Sequence, residues 1–255
     1  MQYANLATVA GTTTYGGPGS KYKSINEDSF FFGISVNKSL VTGVVDGAGG
    51  SSFGYLAGKL ANDALATKLF EGKNVLAAFA AADEYVILNG KGGYATGVAV
   101  EVDEHLLVQM AAKGDTRAMT IREGQPLKEG TTVIQSEVAR KIELGELPPH
   151  AIHTAKGRNI IYSIIGNHNM PISTNVFQGE TQDVIVLASD GLWDVVSDFE
   201  ILKMAQNYQG SALQRALYEL AYERNNSTDE FAIQFAANEI HVIKPLFVHP
   251  TKCHG

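Results

Sequence analysis

A single cysteine, Cys253, in 255 residues leaves no internal disulfide to form, so nothing points to an oxidising compartment. Positive charge is also in short supply. Twenty Lys and Arg face 27 Asp and Glu, a formal net charge of −7. That balance argues against a general nucleic-acid binder, which would display a basic surface. No apolar run approaches the ~20 residues of a membrane helix. Residues 1–20 lack the basic start and long apolar core of a signal peptide. Repeats and low-complexity linkers are missing too, so no composition break divides the chain. What is there is ordinary globular chemistry, 45% hydrophobic and 18% charged. The expectation is a soluble, cytoplasmic monomer with one domain over residues 1–243. Residues 244–255, with Pro245 and Pro250, read as a tail.

Strand-like and helix-like segments alternate. Residues 28–36 and 40–45 are rich in aromatic and β-branched side chains and read as strands. Phe53, Leu56, Ala57, Leu60, Ala61, Ala64 and Leu65 then recur at helical spacing, and 75–88 reads as a second helix. Residues 94–102, 105–111 and 117–122 follow as strands. A helix is predicted over 132–144, short strands over 160–165 and 184–188, helices over 200–208 and 212–224, and a strand over 231–235. Strands in hairpin-like runs between helix pairs predict an α+β layered fold with much antiparallel sheet.

Four carboxylate clusters sit at the edges of apolar runs: Asn26-Glu27-Asp28, Val45-Asp46-Gly47, Ser189-Asp190-Gly191 and Thr228-Asp229-Glu230. A strand holds such a carboxylate rigidly, and several that converge repel one another unless a cation neutralises them. Oxygen-only ligands select hard cations such as Mg²⁺ or Mn²⁺. Taken singly, each Asp-Gly is as readily a turn. Nucleotide loops fail on detail: Ser52 stands where the third glycine of GxGxxG belongs, and Gly58-Lys59 is followed by Leu60, not Ser or Thr.

The fragments KYKSINEDSFFF, VVDGAGG, GDTRA, GRNIIYSIIG and VIVLASDGLWDVVSD occur in the order found in type 2C, or PPM-type, metal-dependent protein Ser/Thr phosphatases. The chain most resembles the compact bacterial members, over about residues 12–235. The resemblance implies a four-layer αββα sandwich, two antiparallel sheets flanked by helix pairs. It implies two tightly bound Mn²⁺ or Mg²⁺ ions, and a third weaker one, with a metal-bound water as nucleophile. Asp46 resembles the bridging ligand, with the Gly47 carbonyl and Glu27 serving one ion and Asp190 and Asp229 the other. Asp115 and Asp194, with Asp190, match the third site, and Asp28 matches an acceptor for metal-bound water. Lys23 takes the position where the family usually has a phosphate-gripping arginine. Phosphorylated proteins are the implied partners, in opposition to a Ser/Thr kinase, with no nucleic acid and no membrane.

Three departures bear on activity. Lys23 offers a point charge in place of a bidentate fork. Ala48 stands where many eukaryotic members carry histidine. Asp229-Glu230 replaces the usual Asp-Asn. A weakly active or inactive module that binds phosphorylated partners is the alternative reading. Cys253, flanked by His249 and His254, reads as an inert tail thiol, and Trp193 as a core aromatic beside the Asp190 loop.

Overall fold

The computed structural model describes residues 27–48, 53–158, 160–226 and 240–243. Lys23, Asp229, Glu230, Cys253 and the strand expected over 231–235 lie outside the described residues. Two antiparallel sheets form the centre. The first runs in the order β1 (Asp28–Ile34), β2 (Leu40–Gly47), β3 (Ala95–Val102), β4 (Leu107–Lys113) and β7 (Ser173–Gln178). The second runs β6 (Gln125–Thr131), β5 (Arg117–Arg122), β8 (Val184–Ala188) and β9 (Ile240–Ile243).

Alternation along the strands explains the layering, because successive side chains point to opposite faces. In β2, Val41 and Val45 pack under α1 (Gly54–Phe70) and α2 (Val75–Asn89), with Leu65, Phe79 and Val86. Leu40 and Val44 face the other way and meet Ile185 and Leu187 of β8 between the sheets. Val186 and Ala188 of β8 turn outward onto α5 (Asp190–Trp193), α6 (Asp198–Asn207) and α7 (Gly210–Asn226), through Leu192, Ile201, Leu213 and Leu217. Three apolar interfaces therefore separate four layers, the expected αββα sandwich. Each fully buried aliphatic side chain contributes about 1.5–3 kcal/mol.

The helix α1 buries Gly54, Ala57, Gly58, Ala61, Leu65 and Leu69, while Phe53 lies outside the helix and is exposed. Small residues at the start of that face let the helix approach the end of β2 closely.

Two local expectations are corrected, the helix over 132–144 and the strand over 160–165, and two strands appear that the sequence did not mark. The helix α3 spans only Glu137–Glu143, because Ser136 caps it by accepting from the Ala139 amide at 3.2 Å. Gln135, expected on a surface helix, is buried and extended, and bonds the Gly114 turn. Residues 160–165 form no ladder. They make isolated bridges, Ile161 to Ser136 and Ile165 to Ala95. The strands β6 and β7 gave little sequence signal, since QPLKEGT and STNVFQ are polar, half-exposed edge strands. Pro126 is tolerated because an edge strand need not use every amide.

Candidate metal centre

The antiparallel register of β1 and β2 sets Asp28 directly opposite Asp46, and Asp46 opposite Thr96 of β3. Asp46 shares the parity of Val44, so it lies at the end of the inter-sheet face, where the apolar filling stops. The chain then passes closely under α1. The Gly47 amide donates to the Glu27 carbonyl at 3.2 Å. A Cβ on Gly58 would stand 2.8 Å from the Glu27 carbonyl oxygen and 3.1 Å from Gly47 Cα. A Cβ on Gly54 would stand 3.0 Å from Glu27 Oε1. Glycine at these helix positions seats Glu27 and Gly47 against the helix start.

The second sheet supplies the rest. After β8, Ser189 is wholly buried and donates through Oγ to Asp28 Oδ2 at 2.8 Å, a direct tie between the ends of the two sheets. Asp190 begins α5 and Asp194 ends it, one helical turn apart. Asp115 occupies the β4–β5 connection, where the chain crosses from one sheet to the other. Its carboxylate accepts from Thr96, whose hydroxyl lies 2.7 Å from that of Thr116.

The electrostatics register the convergence. Burial, then the charges of Asp28 and Asp190, push the Asp46 carboxyl well above the usual carboxylate range. Burial and Asp190 raise Asp115 to about 7. The same two causes raise Asp194 to about 7, against the pull of Arg158, whose Nη2 stands 3.2 Å from Asp194 Oδ2. Like charges at this separation resist ionising together. Two further cations flank Asp115 along the chain but bond elsewhere. Arg117 forks onto Asp198 at 2.7 and 2.8 Å and lies 4.9 Å over the Trp193 ring. Lys113 pairs with Asp83.

Of the residues singled out from sequence, Asp28, Asp46, Asp115, Asp190 and Asp194 come within electrostatic reach of one another, and Glu27 and Gly47 lie beside the strand end. Trp193 is a buried core aromatic whose Nε1 donates to the Ala188 carbonyl at 2.7 Å, as expected. Sequence reasoning missed Ser189, Thr96, Thr116 and Arg158. Ser189, Arg158 and Thr116 lay inside quoted motifs, whereas Thr96 carried no signal. Among the described residues, no group of three or more His, Cys, Asp or Glu side chains is drawn around one point as a ready-made cage. The donor set itself is all-oxygen, mutually repelling and partly enclosed, and therefore fits hard divalent cations.

Comparison with known proteins finds likeness to phosphatases. The family described as Protein phosphatase 2C matches residues 168–229, which carry Asp190, Asp194 and Asp229. The serine/threonine protein phosphatase PstP of Mycobacterium tuberculosis is 27% identical over 213 residues, covering 77% of this chain and 39% of that protein. The chain thus spans well under half the length of this curated relative. The crystal structure of the serine/threonine phosphatase Stp1 from Staphylococcus aureus superposes with a TM-score of 0.77 at 21% identity, over 97% of this chain and 98% of that one. The catalytic domain of PstP, in a complex with two manganese ions, gives 0.72 at 20% identity, over 93% and 97%.

Proposed function

We propose that this chain, which has the fold of the bacterial PPM-type phosphatases, is a metal-dependent protein serine/threonine phosphatase hydrolysing phosphoserine and phosphothreonine esters. The observation that supports the reading is that the strand register sets Asp28 opposite Asp46, and that burial with the charges of Asp28, Asp190 and Asp115 holds Asp46 well above the usual carboxylate range, while Asp190 and Asp194 act on Asp115 in the same sense. That arrangement disfavours the ionised carboxylates by itself and becomes favourable once cations share the oxygens.

Asp46, the Gly47 carbonyl and Glu27 would hold one Mn²⁺ or Mg²⁺ ion, and Asp46, Asp190 and Asp229 its neighbour. Asp115, Asp194 and Asp190 would hold a third, more weakly. When bound, such ions supply Lewis acidity, easing water deprotonation and offsetting charge on phosphoryl oxygens. The protein's own groups position and orient. Asp28, held by the Ser189 hydroxyl, would serve as a proton acceptor at the strand end. Ser189 and Thr96 lock the carboxylates so that little reorganisation accompanies reaction. Arg158 and Lys23 supply positive charge for an anionic substrate. Phosphorylated proteins are the substrate class, and the phosphatase domain takes in residues 1–243.

Asp46→Asn decides the matter. It removes the shared charge at a strand end without emptying any core position. The variant is expected to fold and to lose at least a hundredfold of Mn²⁺-dependent turnover on both a phosphothreonine peptide and p-nitrophenyl phosphate. Near-normal turnover in Asp46→Asn would refute the site. Absence of turnover in the unmodified protein, with phosphopeptide binding retained, would favour a binding module.

A further inference from the structure

One charged pair buried in the helix-covered layer lies outside the residues assigned to the metal centre. Lys113, the last residue of β4, and Asp83 of α2 have side chains only 3% and 5% exposed, with Nζ and Oδ2 2.6 Å apart. Their surroundings are apolar, with Phe79, Ala82, Val86 and Ala111 buried in the same layer. Burying two charges costs several kcal/mol per ion, and an apolar pair of similar volume would pack as well. Stability alone therefore gives little reason for the pair.

Its hydrogen bonds give another. Lys113 also donates to the Asn167 carbonyl at 2.9 Å, and Asp83 Oδ1 accepts from the Gly166 amide at 2.9 Å. His168 Nδ1 stands 3.9 Å from Asp83 Oδ2. The end of β4 is thus pinned at once to α2 and to the loop after the Ile165 bridge. The next residue, Gly114, has φ +93° and is gripped edgewise. Its amide donates to Gln135 Oε1 at 3.0 Å, and its carbonyl accepts from the Gln135 amide at 2.8 Å. Asp115 follows immediately. A strand end fixed on its face and then along its edge cannot slide, so the direction of the Asp115 carboxylate is set before any ligand arrives.

We propose that the Asp83–Lys113 pair is a positioning device for the Asp115 carboxylate, and that it sets the affinity of the outermost cation position. This inference rests on the metal site proposed above. The test is the double variant Asp83→Asn/Lys113→Met in the full chain. Both charges leave together, so no buried charge is orphaned, and the asparagine oxygen can still accept from Gly166. Three readouts apply: melting temperature, calorimetric Mn²⁺ titration of the metal-free protein, and amide exchange at Gly114.

Expected are a melting temperature close to that of the parent, unchanged affinity at the tight positions, and an outermost position weakened at least tenfold. Gly114 exchange should quicken by a similar factor in the absence of metal. Asp115→Ala provides the limit for loss of that position. A folded double variant with parental outermost affinity and parental Gly114 exchange would overturn the inference and leave the pair purely structural. If the double variant fails to fold, Asp83→Asn/Lys113→Leu, which likewise leaves no charge buried alone, is judged by the same readouts. If the parent protein takes up no Mn²⁺ at all, the metal-site reading fails, while Gly114 exchange still decides whether the pair fixes the turn.

Discussion

Gly58 shows how a missing side chain places a functional one. Alanine is the better helix former by about 1 kcal/mol, so Gly58→Ala would stabilise an isolated α1. In the folded chain the new Cβ meets the Glu27 carbonyl oxygen at 2.8 Å and Gly47 Cα at 3.1 Å, and backbone cannot rotate away as a long side chain can. The clash prevails over propensity. Gly58→Ala is expected to cost about 1–3 kcal/mol in urea unfolding, the usual range for overpacking. It should also weaken Mn²⁺ binding, because Glu27 and Gly47 move with the β2 end. A variant more stable than the parent would show that the helix accommodates the methyl by shifting outward. Glu27, Asp28, Asp46 and Asp190 stood out in the sequence because they flank apolar runs, whereas Asp115 and Asp194 stood out only through motifs that resemble a family. Ser189 and Thr96 did not, because a hydroxyl acquires its task only from the partner that folding brings to it.

At the scale of elements, α6 and α7 are clamped by one carboxylate with three duties. Glu200 completes the capping box with Ser197, accepting from its amide at 3.0 Å, and also receives Arg224 Nη1 at 2.9 Å. Arg224 in turn donates to the Val195 carbonyl. The Arg224 hydrogen bond is the largest influence holding the Glu200 carboxyl down, at about 2. A depressed carboxylate contributes stability above its unfolded value of 4.5, and that contribution is lost as pH falls toward 2. Both side chains are roughly one-third exposed, so screening reduces the effect to about 1–2 kcal/mol. The expected result is a stability gap between the parent and Glu200→Gln at pH 7 that narrows below about pH 4.5. A gap independent of pH would assign the cost to lost packing. The sequence reading began this helix at residue 200, whereas the Ser197–Glu200 cap starts it at Asp198. The polar edge strands β6 and β7 did not announce themselves, because an edge needs no apolar alternation and its pairing is decided by neighbours far along the chain.

On the scale of the whole molecule, a layered α+β fold was readable from hairpin-like strand runs between helix pairs, and the four-layer sandwich from the family resemblance. The register that sets Asp28 against Asp46, and the Ser189–Asp28 bond joining the sheets, depend on long-range docking that no local pattern encodes. Calorimetry should accordingly find the protein stabilised by Mn²⁺, by about 2.7 kcal/mol at a hundredfold excess over the dissociation constant. An unshifted transition would mean that the carboxylates bind no cation in the native state.

The tie between the sheet ends also has a kinetic consequence. Asp28 and Asp46 come from one sheet, Asp190 and Asp194 from the helix that follows the last long strand of the other, so the position proposed for Asp46 and Asp190 together does not exist in either half alone. A cation can take that position only after the sheets have closed, which would place its contribution on the native side of the folding barrier. Added Mn²⁺ would therefore lengthen the lifetime of the folded protein while leaving its rate of formation almost untouched. Such a protein would persist longest where metal is plentiful, and its lifetime in the cell would follow cation supply.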